Sequence, residues 1–165
     1  MFMLKNYQNR SLDALRSYLE QARFKGAEAT YRELEKSGVP SWKPYQAIPG
    51  LETVPFVCLR LPTGGGKTLL SAHSVAIAGE TYLETEFPLV LWMAPTTTIR
   101  QQTLETLKKP GHPNYETLRA AFDGRFMVLD IEDFAQIRPQ DLKSKAVIVL
   151  GTMQTLHVNS TEGRK

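Results

Sequence analysis

Leu59-Arg60-Leu61-Pro62-Thr63-Gly64-Gly65-Gly66-Lys67-Thr68-Leu69-Leu70 is the stretch on which the reading of this chain turns. The apolar run Pro55 to Leu61 enters it with the composition of a strand, and the run Leu69 to Leu83 leaves it with the character of a helix. Three consecutive glycines at the junction open backbone conformations closed to residues with a Cβ and let the chain approach a ligand closely. Successive N–H groups in such a loop can converge on an anion. The free N–H groups and positive end of the following helix act at the same point. Lys67 and Thr68 complete a strand–loop–helix phosphate-binding pattern, in which the lysine meets the β/γ-phosphates and the hydroxyl a Mg²⁺ ion. The plainer alternative is a glycine-rich turn closing a strand–helix corner. The pattern ends in Gly66-Lys67-Thr68 as a phosphate loop does, but Leu61 stands at its first position, where the usual form has glycine.

The chain has 165 residues, enough for one domain with a real core. Its 42% hydrophobic and 22% charged residues are ordinary for a globular protein. No run approaches the roughly 18 apolar residues of a membrane span, and Met1-Phe2-Met3-Leu4-Lys5 turns polar too soon for a signal peptide. The single cysteine, Cys58, excludes a disulfide within these residues and is expected as a buried small hydrophobe. With no Cys/His cluster at metal spacing, a reducing, cytoplasmic setting is expected. The net charge of +3 is compatible with a polyanion partner but does not by itself imply one.

Around the glycine loop the chain alternates helix and strand. Residues 4 to 37 read as helical, with Leu12, Leu15, Leu19 and Ala22 on one face, a break at Gly26 and a stop at Gly38 and Pro40. Residues 38 to 54, with Pro40, Pro44, Pro49 and Gly50, read as an arm whose aromatics, Trp42 and Tyr45, pack on the surface. Leu89 to Ala94 is a nearly continuous apolar run, expected as a strand buried on both faces. Pro95-Thr96-Thr97-Thr98 ends it, and a helix is expected from Ile99 to about Lys108, with Thr98 a candidate cap. His73, in the helix after the glycine loop, carries no assigned role. A short helix from Tyr115 to Phe122, a turn at Asp123-Gly124 and strands at Phe126 to Leu129 and Ala146 to Leu150 complete the chain. This order predicts an α/β class with a mostly parallel sheet flanked by helices, in which ligand-binding residues gather at the carboxyl ends of strands. The domain reading is a helical segment and arm over 1–54 and a P-loop domain over 55–165.

Four motifs in this order resemble the first RecA-like domain of superfamily 2 DNA helicases and translocases, the DEAD/DEAH-box relatives. Thr63-Gly64-Gly65-Gly66-Lys67-Thr68 resembles their motif I, which lacks the first glycine. Tyr7-Gln8 resembles the segment whose glutamine reads adenine; a primary amide can donate and accept at once, matching the N6/N7 edge. Ala94 to Gln102 resembles motif Ia, where a Pro-Thr turn and a helix N-terminus meet nucleic-acid phosphates. Gly151-Thr152-Met153-Gln154-Thr155-Leu156 resembles a later strand-end motif, in which the residue matching Thr152 also touches the strand backbone. The long arm before the loop and Met153 to Leu156 are similar to the restriction subunit of type III restriction enzymes.

The resemblance implies ATP and Mg²⁺ as cofactors and a DNA-dependent ATPase, helicase or translocase, with endonuclease activity in the complete protein. It implies nucleotide contacts at Gln8, Thr63, Gly64, Gly65, Gly66, Lys67, Thr68 and Leu69, with Lys67 catalytic and Thr68 on the metal. DNA backbone contacts are implied at Pro95, Thr96, Thr97, Gln102 and Thr152. A DNA-methylating specificity subunit is an implied partner. The family's acidic metal motif has no clear match. Asp130, Glu132 and Asp133 follow an apolar strand, but they precede Thr152, whereas the family's acids follow it. The motif is therefore expected beyond Lys165, which makes the chain an incomplete domain with little hydrolysis of its own and an exposed sheet edge prone to self-association. Two other classes stay open: a self-contained P-loop NTPase or small-molecule kinase using Asp130, and a non-enzymatic nucleic-acid-binding module.

Overall fold

The computed structural model describes residues 3–36 and 44–155. The expectations for Gly38, Pro40, Trp42, Leu156 and the polar ending fall outside them. Helix α1 (Asn6–Lys25) and helix α2 (Ala27–Lys36) are separated at Gly26, whose φ of +88° suits glycine. Leu12, Leu15, Leu19 and Ala22 are buried on one face of α1, as their spacing predicts. Helix α3 (Lys67–Ala78) begins directly at the glycine loop and continues into a π-turn, Gly79–Leu83.

Three strands form the sheet: β1 (Leu89–Ala94), β2 (Phe126–Asp130) and β3 (Ala146–Thr152). Between them run α4 (Thr97–Lys108), α5 (Pro113–Ala121), a 3-10 turn at Ile131–Gln136 and the short helix α6 (Asp141–Ser144), which sequence periodicity did not reveal. All pairing is parallel, in the order β1-β3-β2. This open parallel sheet flanked by helices is the α/β arrangement that the alternation predicts, and it is consistent with the RecA-like domain that the motifs resemble.

The central strand β3 is buried along its whole length. Val147, Ile148 and Leu150 have no exposed surface, which accounts for a run of apolar residues without alternation. The core it belongs to takes Ala72 and Val75 from α3, Leu107 from α4, Leu118 from α5 and Phe122 just after it. A second cluster joins Leu12, Leu15, Tyr18 and Leu19 of α1 to Leu70 and Ile77 of α3. Helix α3 is thus buried on two faces, against the sheet layer and against α1, which explains a sequence as apolar as Leu69-Leu70-Ser71-Ala72.

Three expectations are corrected. Strand β1 lies at a sheet edge and is not buried on both faces: Leu89 is 60% and Leu91 52% exposed. Residues 55–61 join no sheet among the described residues. They keep a strand-like alternation, with Val57 and Leu61 packed against the α1–α3 cluster and Phe56 and Cys58 turned outward. The expected burial of Cys58 therefore fails, because only one face of this segment finds a partner. No helix among the described residues is long and apolar enough to cross a membrane.

Candidate nucleotide-binding site

The glycine loop is held at both ends by apolar anchors. Leu61 packs into the α1–α3 cluster before it, and Leu70, 1% exposed, does so after it. Between them the chain makes a tight turn in which the Gly65 N–H donates to the Pro62 carbonyl at 3.0 Å. Gly64 and Gly66 adopt φ of +73° and +79°, the left-handed region that disfavours other residues. A Cβ on Gly65 would lie 2.8 Å from the Pro62 oxygen, and one on Gly66 would lie 2.6 Å from Gln8 Nε2. Glycine is needed at Gly64 for torsion, at Gly65 for space and at Gly66 for both.

Helix α3 starts at once. The Leu70 N–H donates to the Gly66 carbonyl at 2.9 Å, and no side chain caps the helix. Its first N–H groups are left to meet an anion. A triphosphate with its cation fits this donor set: a Cβ-free cradle, an uncapped helix start, an exposed lysine at Lys67 and a hydroxyl at Thr68. As it stands, Lys67 Nζ folds back to donate to the Pro62 carbonyl at 2.9 Å.

Helix α1 supplies the other wall. Gln8, 7% exposed, has both ends of its amide engaged. Its Oε1 accepts from the Lys5 N–H at 2.9 Å, closing the first turn of α1. Its Nε2 donates to the Gly65 carbonyl at 3.0 Å. The Tyr7 hydroxyl donates to the same carbonyl at 3.1 Å. Gln8 keeps one amide hydrogen and one oxygen lone pair beyond these bonds.

The second set of candidate residues sits at the carboxyl ends of β1 and β3. Ala94 is in register with Thr152, so the Pro95 to Thr98 turn and the Thr152 to Thr155 turn leave the sheet side by side. Pro95, Thr96, Thr97 and Gln102 are exposed. The cap of α4 is Thr96, whose Oγ1 accepts from the Ile99 N–H at 3.3 Å, in place of the expected Thr98. Thr152 is 2% exposed and contacts Thr155 Oγ1 at 2.8 Å, so its hydroxyl faces the following turn rather than solvent.

Asp130 is occupied elsewhere. Arg100 of α4, 6% exposed, reaches Asp130 Oδ1 and Glu132 Oε1, each at 3.1 Å, while its Nε has no acceptor. Asp130 Oδ1 also accepts from the Glu132 N–H at 3.1 Å, capping the 3-10 turn. An acid already neutralised by a guanidinium is poorly placed to ligate a cation, which weighs against a self-contained NTPase built on it. No His/Cys/Asp/Glu group suited to a metal occurs among the described residues. Sequence reading missed both Arg100 and the Tyr7 hydroxyl. Arg100 lies thirty positions from Asp130, and only the packing of α4 against the end of β2 joins them.

An open parallel α/β sheet beside a lysine-bearing glycine loop that starts a helix defines a P-loop domain of RecA-like type. The family model described as the type III restriction enzyme res subunit matches residues 1–165. The chain belongs to that family, and through it to the superfamily 2 helicase domains that the motif order resembles. No curated protein and no solved structure matches it.

Proposed function

We propose that this chain binds ATP with Mg²⁺ at the glycine loop and DNA phosphates at the strand ends, as the nucleotide-binding part of a DNA-dependent ATPase motor. The backbone N–H groups between Thr63 and Leu69 that are not bonded within the loop cradle the phosphates, Lys67 meets the β/γ-phosphates, and the Thr68 hydroxyl holds the cation. The remaining donor and acceptor of Gln8 read the adenine edge. The bound cation neutralises charge on the terminal phosphates when present. Pro95, Thr96, Thr97 and Gln102 form the DNA-facing side, which grips the backbone without reading sequence, and the buried Thr152 supports it from behind by holding the neighbouring turn through Thr155.

The observation that carries this reading is the glycine cradle. Side chains at Gly65 and Gly66 would collide with Pro62 and Gln8, and the loop runs straight into an uncapped helix bearing Lys67 and Thr68. Membership of the res-subunit family supports it. Residues 1–54 serve as the helical segment and arm leading into the domain at 55–165. In the complete system the motor works in the cytoplasm with an endonuclease activity and a DNA-methylating specificity subunit.

Photolabelling with an azido-adenine ATP tests the site. The label is expected on peptides carrying Gln8 or the 62–70 loop, and excess ATP suppresses it. Labelling confined to other peptides, or insensitive to ATP, contradicts the proposal. For the DNA side, affinity for duplexes of unrelated sequence is expected to be equal and to fall steeply with salt, because phosphate contacts release counterions.

A further inference from the structure

The Gly65 carbonyl receives two side-chain donors from the first turn of α1, Tyr7 Oη at 3.1 Å and Gln8 Nε2 at 3.0 Å. We infer that Tyr7 is a positioning residue for the phosphate loop: by holding the Gly65 carbonyl toward α1, its hydroxyl turns the Gly66 N–H toward the phosphate side. The inference rests on the nucleotide-binding reading above and adds a residue that reading does not use.

The link between the two groups is covalent geometry. The peptide joining Gly65 and Gly66 is trans, so its C=O and N–H point in opposite directions from one rigid plane. Pulling the oxygen toward α1 sends the hydrogen away from α1. Glycines on both sides would otherwise let this plane rotate freely, since neither has a Cβ to restrict it. Two donors on one oxygen, using both of its lone-pair directions, remove that freedom. The packing agrees: Gln8 Nε2 sits 2.6 Å from where a Gly66 Cβ would be, so the loop is moulded against α1 rather than merely near it. Tyr7 is anchored in turn, because its own carbonyl accepts from Ser11 Oγ at 2.8 Å within α1.

The two donors have separable duties. Gln8 retains amide groups that can meet a base, whereas the hydroxyl of Tyr7 donates its only hydrogen to the loop. Tyr7 therefore acts on phosphate binding and not on the choice of base. Its loss is expected to weaken ATP and GTP by the same factor, about 3- to 10-fold, the range of one hydrogen bond. Loss of the Gln8 amide is expected to change the ratio between them.

The test uses Tyr7→Phe, which keeps the ring and removes the hydroxyl, beside Gln8→Ala and Lys67→Ala. ATP and GTP affinities are measured by calorimetry, and backbone amide spectra are recorded without nucleotide. Tyr7→Phe is expected to shift the Gly65, Gly66 and Lys67 amide resonances, leave those of the sheet in place, and weaken both nucleotides equally. Unchanged affinities, or a loss confined to ATP, would overturn the inference. Shifts spread through α1, α3 and the sheet would overturn it too, since they mark a general packing role. Failure of the nucleotide-binding reading looks different: the unmodified chain then binds neither nucleotide, or Lys67→Ala binds as well as it does. A loop without a phosphate ligand also overturns the role given to Tyr7.

Discussion

Gly66 brings torsion and space to a single position. An alanine there would have to hold a φ of +79° and share its volume with Gln8 Nε2 at 2.6 Å. Gly66→Ala is expected to cost about 1–3 kcal/mol of stability by urea denaturation. Part of that cost should vanish when Gln8 is also shortened to alanine, because the clash then has no partner. An additive double variant would mean that torsion alone is responsible. His73 belongs to this scale as well. It is half-buried in α3, with Nε2 3.5 Å from Thr117 Oγ1, and burial lowers its pKa below the ordinary 6.5. The unfolded chain therefore takes up a proton at this residue before the folded chain does as pH falls below about 6.5. Stability contributed by neutral His73 is complete above that pH and is lost as pH falls toward the lowered folded value. Melting temperatures from pH 7.5 to 5.5 should drop less steeply in His73→Gln than in the unmodified chain. Equal slopes would show that His73 carries none of the dependence.

At the scale of elements, the ion pair between Arg100 and Asp130 fastens α4 to the end of β2. Both side chains are largely buried, so removing one leaves the other charged and uncompensated. Arg100→Met is expected to destabilise by about 3 kcal/mol, measured by chemical denaturation. Arg100→Met with Asp130→Asn should recover much of the loss, and no recovery would mean that packing dominates. The elements also show what a sequence exposes. Helix α1 was legible because Leu12, Leu15 and Leu19 repeat on one face, and β3 because an unbroken apolar run suits a strand covered on both sides. Strand β1 has the same composition, Leu89 to Ala94, yet lies at an edge with Leu89 and Leu91 bare. The segment before the glycine loop has strand alternation but no ladder. Apolarity is written in the residues, while the neighbour that covers them belongs to topology. The cap of α4 was misread by two positions for a related reason: in a run of three threonines, only the backbone geometry selects Thr96.

For the molecule as a whole, the glycine loop was legible from residue types alone, and the family match agrees with the order of the motifs. What the sequence could not convey was the state of the loop, in which Lys67 lies on the Pro62 carbonyl and α1 grips the Gly65 carbonyl. The two contacts from α1 join residues 58 and 57 positions apart and have no periodic signature. The bare edge of β1 has a consequence at this scale. It carries no charge, proline or bulge to block pairing with another chain. Concentration-dependent self-association is expected by sedimentation, and Leu91→Lys should suppress it without changing the fold. Association that persists in this variant would point to another surface. The central claim, that Gly64 to Thr68 form a nucleotide site, is tested most directly by titrating the chain with Mg-ATP beside Lys67→Ala, while following phosphate release with and without DNA. Expected are saturable binding, weakened at least about tenfold in the variant through loss of a charged hydrogen bond, and little turnover. Binding untouched by Lys67→Ala would contradict the site, and brisk hydrolysis abolished by Asp130→Asn would restore Asp130 as the metal acid.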